Sequence, residues 1–197
     1  MAFNMISPGT MLAPTPVVMV GCAMEGIRPN IITIAWVGTV NSDPPMVSVS
    51  IRPQRHSHDI IRDSGEFTVN LVSKDLLEAT DLCGVRSGRD VDKFELCDLK
   101  AVRAEGLSYA PAIAQSPVWL ACKVRSALPL GSHTMFIGEI VSVGVQENLV
   151  DKAGKIDYAK AGLAAYCHGE YVGLGKTEGF FGYSVARPEV LKVRMKK

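Results

Sequence analysis

A cluster of cationic and hydroxyl side chains lies between residues 48 and 58. It comprises Ser48, Ser50, Arg52, Arg55, His56, Ser57 and His58. Guanidinium groups and hydroxyls suit phosphate oxygens, and a helix that begins here adds backbone N–H groups and a favourable dipole. The cluster therefore predicts an anion site for a ligand phosphate. An ordinary exposed strand–helix junction, where arginine and serine are common, is the alternative, and the residue types alone do not separate the two.

Other chemistries find less support in the sequence. His56 and His58 lie two residues apart without the cysteine or carboxylate pattern of a zinc site, so we predict no metal. The G-x-S-x-G elbow of many hydrolases, the G-x-G-x-x-G dinucleotide fingerprint and the P-loop pattern are absent. The five cysteines are odd in number and form no C-x-x-C, which favours free thiols in a reducing compartment.

Composition argues against two further classes of protein. Lysine plus arginine (21) nearly balances aspartate plus glutamate (20), whereas nucleic-acid binders normally carry a basic excess. No tract approaches the ~18 uncharged apolar residues of a membrane-spanning helix. Residues 11–24 are apolar, but the first basic residue is Arg28, so they lack the positively charged start of a secretory signal. We expect a cytoplasmic protein without nucleic-acid or membrane partners.

The segments that must position the cluster are predicted to be mostly short strands. Apolar or alternating runs predict strands at 16–23, 31–37, 46–51, 67–72, 118–127 and 134–145. Two short helices are predicted at 57–63, with Ser57 as its N-cap, and at 73–82. A polar surface loop is expected at 84–94 and a hairpin at 151–158. Many strands with only two short helices predict a β-barrel with helical decoration in a single domain, residues 1–197.

A series of short motifs follows a fixed order from about residue 14 to residue 139. They are PVV (16–18), RPNIITIAWVG (28–38), DPP (43–45), SIRPQRHS (50–57), GEFTVN (65–70), CG (83–84), SG (87–88), DKF (92–94), GSH (131–133) and GE (138–139). Each is weak alone, but the series resembles the flavin reductase-like FMN-binding proteins, which include flavoredoxin. The resemblance covers a core of about 14–145, and the extension 151–197 matches only loosely, through Tyr171, Gly173 and Leu174.

The resemblance implies a mainly β fold, a six-stranded antiparallel Greek-key split β-barrel with a few short helices. It also implies an FMN cofactor and a homodimer with the flavin near the subunit interface. The residues it implies for cofactor binding are Asn30, Thr33, Ile34, Ala35, Trp36, Ser50, Arg52, Ser57, Asn70 and Lys93. Residues 33–36 would lie along the flavin ring, Ser50, Arg52 and Ser57 would take the ribityl chain and phosphate, and Asn70 would sit beside the flavin. Lys93 and His133 are the implied catalytic candidates, in charge or donor roles near the flavin or the nicotinamide approach.

Each of these assignments has a simpler alternative. Trp36 could be part of the core, since its ring supplies much buried area. Asn70 could be a satisfied polar group at a strand end, and Lys93 a solvated loop charge. His133, which follows Gly131-Ser132, could bridge a turn.

Three functions remain compatible with the sequence. We favour an enzyme, an NAD(P)H-dependent flavin (FMN) reductase with NADH or NADPH as donor and onward electron transfer to free flavin, a metal ion or a partner protein. The alternative is a flavoredoxin-like FMN carrier that a partner protein reduces. An FMN-binding barrel without redox turnover is the third.

Overall fold

Strands supply most of the regular structure in residues 1–195, the part of the chain that this computed structural model describes. The strands are β1 (Thr15–Pro16), β2 (Val18–Met24), β3 (Ile27–Ile34), β4 (Val37–Ser42), β5 (Pro45–Ile51), β6 (Glu66–Leu71), β7 (Ala101–Val102), β8 (Ala112–Ile113), β9 (Val118–Pro129), β10 (Thr134–Val145), β11 (Ala164–Cys167) and β12 (Glu170–Gly173). The α-helices are α1 (His56–Ser64), α2 (Leu77–Val85), α3 (Lys93–Leu96) and α4 (Pro188–Arg194). Short 3₁₀ turns lie at Lys74–Leu76, Glu147–Leu149 and Tyr183–Val185.

The main sheet is antiparallel and has the strand order β3-β2-β6-β9-β10-β5-β4. Its two edge strands are consecutive in the chain, joined only by Ala35 and Trp36. A flat sheet of this width would separate its edges by about 29 Å, whereas three Cα steps from Ile34 to Val37 span at most ~11 Å. The sheet must therefore curl until its edges adjoin, which gives a split barrel. The predicted class is confirmed, with seven strands in this sheet rather than six.

Apolar side chains from alternate strand positions fill the barrel. Val47, Val49 and Ile51 of β5 and Phe67 and Val69 of β6 are buried there. Helix α1 packs Ile60 and Ile61 into the same core and contacts β2, β3, β6 and β9. Each such side chain contributes about 1.5–3 kcal/mol when fully buried. This packing fixes the start of α1 relative to the split between β3 and β4.

The opposite face of β6 carries a ladder of polar side chains, Glu66, Thr68 and Asn70. The Glu66 carboxylate accepts backbone N–H groups from residues 108–110, and the Thr68 hydroxyl donates to the carbonyl oxygen of Pro111. Asn70 Oδ1 accepts the N–H of Ile113, while its Nδ2 donates to the Met19 carbonyl and to Thr68 Oγ1. The hydrogen bonds of these three side chains, which we call the polar ladder, hold residues 108–113 along the outside of the barrel.

Some predicted elements differ from those observed. Helix α1 begins at His56 after Arg55 as N-cap, so Ser57 lies inside its first turn and does not cap it. The predicted helix at 73–82 divides into a 3₁₀ turn and α2. Residues 151–158 form a turn region with an isolated bridge from Val150 to Ile156, without hairpin strands. Within residues 1–195, no helix combines the length and the apolarity needed to cross a membrane.

Candidate functional site

Two adjoining clefts open beside the split of the barrel. The first, which we call the basic cleft, has a volume of about 490 Å³ and is lined by Asn30, Ile32, Arg52, Gln54, Arg55, His56, Ser57, Arg86, Ser87, Gly88, Arg89, Lys93 and Ser132. The second, the aromatic cleft, has a volume of about 410 Å³ and is lined by Val17, Ile32, Thr33, Ile34, Ala35, Trp36, Ser50, Ile51, Arg52, Arg55, His133, Tyr166 and Tyr171. Because Ile32, Arg52 and Arg55 line both, the clefts are continuous.

The junction between β5 and α1 forms one wall of the basic cleft. Arg52 follows the strand directly, and Arg55 is the extended N-cap residue of α1. The first turn of α1 therefore presents backbone N–H groups and the positive end of the helix dipole beside two guanidinium groups. This wall is suited to bind an anion.

Buried polar groups form the floor of the basic cleft. Asn30 Nδ2 donates to Ser57 Oγ at 2.8 Å, and both side chains are buried. Gly88 packs directly on the Asn30 carboxamide, where any added Cβ would clash. The Asn30 amide thus holds the Ser57 hydroxyl at a fixed position on the cleft floor.

Lys93 also belongs to this floor and is only 3 % exposed. Its Nζ donates to the carbonyl oxygens of Ile31 and Cys83, each at 2.7 Å, and so ties β3 to α2. Burial is the main influence that lowers the pKa of Lys93. The ammonium group is thus a built part of the basic cleft and not a solvated loop charge.

The loop between α2 and α3 closes the basic cleft with Ser87, part of the SG motif, and with Arg86 and Arg89, which no sequence motif indicated. Arg89 Nη1 donates to the Gln54 carbonyl at 3.1 Å, and Arg55 Nη1 donates back to the Gly84 carbonyl at 3.2 Å. These two bonds hold the loop against the β5–α1 junction. The two arginines, three residues apart beside a glycine, were the available sequence signal.

The pKa of His56 reflects its burial and the positive charges around the basic cleft. Burial is the largest influence that lowers its pKa, and the positive charges of Arg89, Lys93 and Arg28 lower it further. The imidazole therefore favours its neutral form, because its neighbours disfavour another positive charge.

The aromatic cleft lies at the split, where β3 passes into β4. Residues 33–36, predicted to follow a flavin ring, line it together with Ser50. Trp36 is 40 % exposed, so it is a wall of the cleft and not a core residue. Its carbonyl accepts the Ser50 N–H at 2.9 Å, and the Thr33 hydroxyl donates to the Thr80 carbonyl.

The C-terminal hairpin of β11 and β12 supplies the far wall of the aromatic cleft through Tyr166 and Tyr171. The Tyr166 ring lies 6.4 Å from that of Trp36 and 6.0 Å from that of Tyr171. Tyr171 donates its hydroxyl to Asp81 at 3.1 Å, and burial is the largest influence that raises its pKa to about 12. Tyr171 is only a loose match in the family resemblance, and no sequence motif indicates Tyr166.

His133 and Lys93, the two candidate catalytic residues, lie in different clefts. His133 lines the aromatic cleft, and its Nδ1 is 2.9 Å from Ser132 Oγ. Burial, followed by the positive charge of Arg52, lowers the pKa of His133, so the neutral ring is favoured. Asn70 lines neither cleft, because its carboxamide is bonded within the ladder on the outer face of β6.

Together the two clefts can hold an elongated ligand with a phosphate at one end and a planar ring at the other. Cationic groups, a buried hydroxyl and helix N–H groups serve the first end. Aliphatic and aromatic side chains serve the second. No group of three potential metal-ligating side chains occurs in the part of the chain described.

Several known proteins resemble this chain in sequence or in fold. Residues 10–175 match the family described as "Flavin reductase like domain". The flavoredoxin of Desulfovibrio vulgaris (Miyazaki F) superimposes with a TM-score of 0.85 and 29 % identity, covering 91 % of this chain and 97 % of that one. For a flavoredoxin from Methanosarcina acetivorans the values are 0.84 and 28 %, covering 94 % and 100 %. The reductase component of the FADH(2)-dependent resorcinol hydroxylase of a Rhizobium species is 26 % identical, over 77 % of this chain and 84 % of that protein.

Proposed function

The chain belongs to the flavin reductase like domain family, and from this premise we propose that it binds FMN across the two clefts and catalyses the reduction of this flavin by NADH or NADPH. The observation that carries the proposal is the continuity of a basic cleft with an aromatic one at Ile32, Arg52 and Arg55. FMN has the same order of parts, with a phosphate, a flexible linker and a planar ring system.

The basic cleft fits the phosphate of FMN. Arg52 stands at the junction of the clefts, the buried Ser57 hydroxyl lies on the floor, and the start of α1 supplies backbone N–H groups. Charge-assisted hydrogen bonds of this kind are stronger than neutral ones. Asn30 orients the Ser57 hydroxyl through a hydrogen bond, and Lys93 adds positive charge at the floor of the cleft.

The aromatic cleft fits the flavin ring. Ile34, Ala35 and Trp36 offer an apolar surface, and the Tyr166 ring, 6.4 Å from that of Trp36, extends it. Ser50 lines the same cleft as Arg52, and its hydroxyl would be a partner for a ribityl hydroxyl. Walls of this kind orient a planar ring and exclude water from one of its faces.

When bound, FMN supplies hydride and electron transfer chemistry, and the protein supplies binding, orientation and electrostatics. His133 lines the aromatic cleft, and burial, followed by the Arg52 charge beside it, favours a neutral ring that can donate or accept a hydrogen bond. We therefore assign the donor role near the ring to His133. Lys93, in the basic cleft, is assigned to phosphate binding.

A flavoredoxin-like carrier is the second candidate function, because two flavoredoxins resemble the chain over more than nine-tenths of its length. Such a carrier would use the same two clefts, but a partner protein would replace the nicotinamide donor. The clefts do not distinguish the two functions, so the electron donor must be tested directly.

The test is an absorbance spectrum of the full chain, reconstituted with FMN and then mixed anaerobically with NADH or NADPH. We expect a bound-flavin spectrum that bleaches rapidly with one of these donors. A bound flavin that only dithionite bleaches would replace the reductase with the carrier. Absence of bound flavin would overturn both.

We also propose that the chain forms a homodimer in the cytoplasm. Exposed apolar side chains are concentrated in its two terminal segments, at Met1, Phe3, Met5, Ile6, Met11 and Leu12 and at Phe181, Val185, Val190 and Val193. Apolar side chains that are exposed in one chain can be buried against a second copy of it. All five cysteines are free thiols, as in proteins of a reducing compartment.

Light scattering coupled to gel filtration should give a mass near twice 21.2 kDa. A variant that lacks residues 1–12 is expected to shift toward the single-chain mass. A wild-type protein that elutes as a monomer at micromolar concentration would contradict the dimer.

A further inference from the structure

Two thiols are in contact where the ends of α2 and α3 meet. Cys83 lies in the last turn of α2, and Cys97, fourteen positions later, is the C-cap residue of α3. Their Sγ atoms are 4.0 Å apart, so the two sulphurs touch without a bond between them. Because a disulfide bond is about 2.05 Å long, the two sulphurs would have to approach each other by about 2 Å to form one.

The backbone around the two cysteines already holds them together. The Cys83 carbonyl accepts a hydrogen bond from Lys93 Nζ at 2.7 Å, and the Lys93 carbonyl accepts the Cys97 N–H at 3.2 Å. Lys93 thus connects the end of α2 to the end of α3. The segment between the two cysteines also supplies one wall of the basic cleft, through Arg86, Ser87, Gly88 and Arg89.

The two thiols differ in their exposure to solvent. The Cys83 side chain is 0 % exposed, whereas Cys97 is half-buried. A small oxidant in solution can therefore reach Cys97, but it cannot reach Cys83 directly. An accessible thiol with a second thiol beside it is the arrangement in which oxidation of the first is resolved as a disulfide.

Burial and charge act in opposite directions on this pair. Burial is the largest influence on both thiols, and it raises the pKa of Cys83 to about 12 and that of Cys97 above its ordinary value. Lys93 lowers both pKa values in part, whereas Glu78 raises that of Cys97. Because the thiolate is the reactive form, the pair should react slowly at neutral pH and faster at alkaline pH.

We propose that Cys97 and Cys83 are a modification site for peroxides, at which hydrogen peroxide converts the two thiols into a reversible disulfide bond. The inference does not rest on flavin binding, so it can be tested whether or not the proposed function is correct. The bond would close residues 83–97 into a covalent loop and so constrain the wall of the basic cleft that this segment forms.

The reaction proceeds in two steps. The Cys97 thiolate attacks one peroxide oxygen, the O–O bond breaks, the other oxygen leaves as water, and Cys97 becomes a sulfenic acid. The Cys83 thiolate then attacks the sulfenic sulphur, so that the S–S bond forms, the S–O bond breaks and a second water leaves. The two thiols lose two electrons to the peroxide, and their two protons end in the two waters.

The experiment treats the full chain with hydrogen peroxide, alkylates the remaining thiols under denaturing conditions and maps the tryptic peptides by mass spectrometry. Trypsin places Cys83 in peptide 75–86 and Cys97 in peptide 94–100, each without a second cysteine. The variants are Cys83→Ser and Cys97→Ser, with Cys167→Ser as the matched control. Cys167 is also half-buried, and no hydrogen bond joins its thiol to another of residues 1–195.

We expect peptides 75–86 and 94–100 to be joined by a disulfide in the wild-type chain and in Cys167→Ser, and dithiothreitol to separate them. The rate should rise about tenfold from pH 7 to pH 8, since both values lie below the raised pKa values of the two thiols. In Cys83→Ser, Cys97 should instead proceed to sulfinic or sulfonic acid, because no second thiol is present to resolve it.

Two results would overturn the inference. One is a peroxide-treated wild-type chain in which the two peptides stay separate, a result that needs no variant and so does not depend on how the variants fold. The other is over-oxidation of Cys97 to the same extent in the wild-type chain and in Cys83→Ser, because Cys83 would then not resolve the sulfenic acid.

Discussion

Replacing Arg52 with alanine is expected to weaken FMN binding about 10- to 150-fold. Arg52 lies where the two clefts join, so its guanidinium is placed to reach a phosphate whose ring occupies the aromatic cleft. Its side chain is exposed and has no hydrogen-bond or ion-pair partner within residues 1–195, so its removal leaves no internal group unpaired. A hydrogen bond to a charged group is worth about 1.5–3 kcal/mol, which sets the range.

Fluorescence quenching of FMN by the flavin-free protein measures this affinity. Arg103→Ala removes the same charge away from both clefts and should leave the dissociation constant unchanged. Arg52→Lys, which keeps the charge but loses the planar fork, should fall between the wild-type chain and the alanine variant. Equal FMN affinity in Arg52→Ala and the wild-type chain would remove Arg52 from the binding site.

The wall of the basic cleft at the β5–α1 junction could be predicted because its residues are close in the sequence. Arg52, Arg55, His56 and Ser57 lie within six positions, at a recognisable transition from strand to helix, and all four line the basic cleft. Residues this close in the sequence remain close to one another in the folded chain. Only Ser57 differs from its predicted role as a helix cap. Its hydroxyl accepts a hydrogen bond from Asn30, and Arg55 is the N-cap of α1.

The far walls of both clefts could not be predicted from local patterns. Arg86 and Arg89 lie more than 30 positions beyond Arg52 in the chain, and Tyr166 and Tyr171 lie more than 110 positions beyond it. Tertiary packing alone brings them to the site. The hairpin of β11 and β12 reaches the aromatic cleft because β11 pairs with β1 and the Tyr171 hydroxyl donates to Asp81. The sequence around the two tyrosines contains no motif that predicts either interaction.

The family resemblance implies Asn70 as a cofactor-binding residue, but the alternation of side chains along β6 places it away from both clefts. A polar residue on a strand beside the ligand is a reasonable candidate, but Phe67 and Val69 occupy the face of β6 that points into the barrel. Asn70 therefore shares the opposite face with Thr68 and Glu66, two and four residues earlier. Its partners, residues 108–113, lie in a segment whose path the sequence does not indicate.

Replacing Glu66 with alanine is expected to cost about 1–3 kcal/mol of the free energy of unfolding. The carboxylate is 5 % exposed and accepts three backbone N–H groups, those of Ser108, Tyr109 and Ala110. Alanine would leave the buried Ala110 N–H without an acceptor, which costs about 1–3 kcal/mol. Ser108 and Tyr109 are exposed, so their N–H groups can bond water instead. The loss is large beside the 5–15 kcal/mol that typically separates folded from unfolded domains.

Urea unfolding followed by tryptophan fluorescence measures the change. Glu66→Gln keeps the shape and one carbonyl oxygen, so it should lose less stability than Glu66→Ala, while Glu25→Ala, in the exposed turn between β2 and β3, should lose almost none. Because Glu66 faces away from both clefts, FMN affinity should stay near the wild-type value in whatever fraction remains folded. A Glu66→Ala chain as stable as the wild type would mean that residues 108–113 find other acceptors, and the polar ladder on β6 would then not be what holds this segment to the barrel.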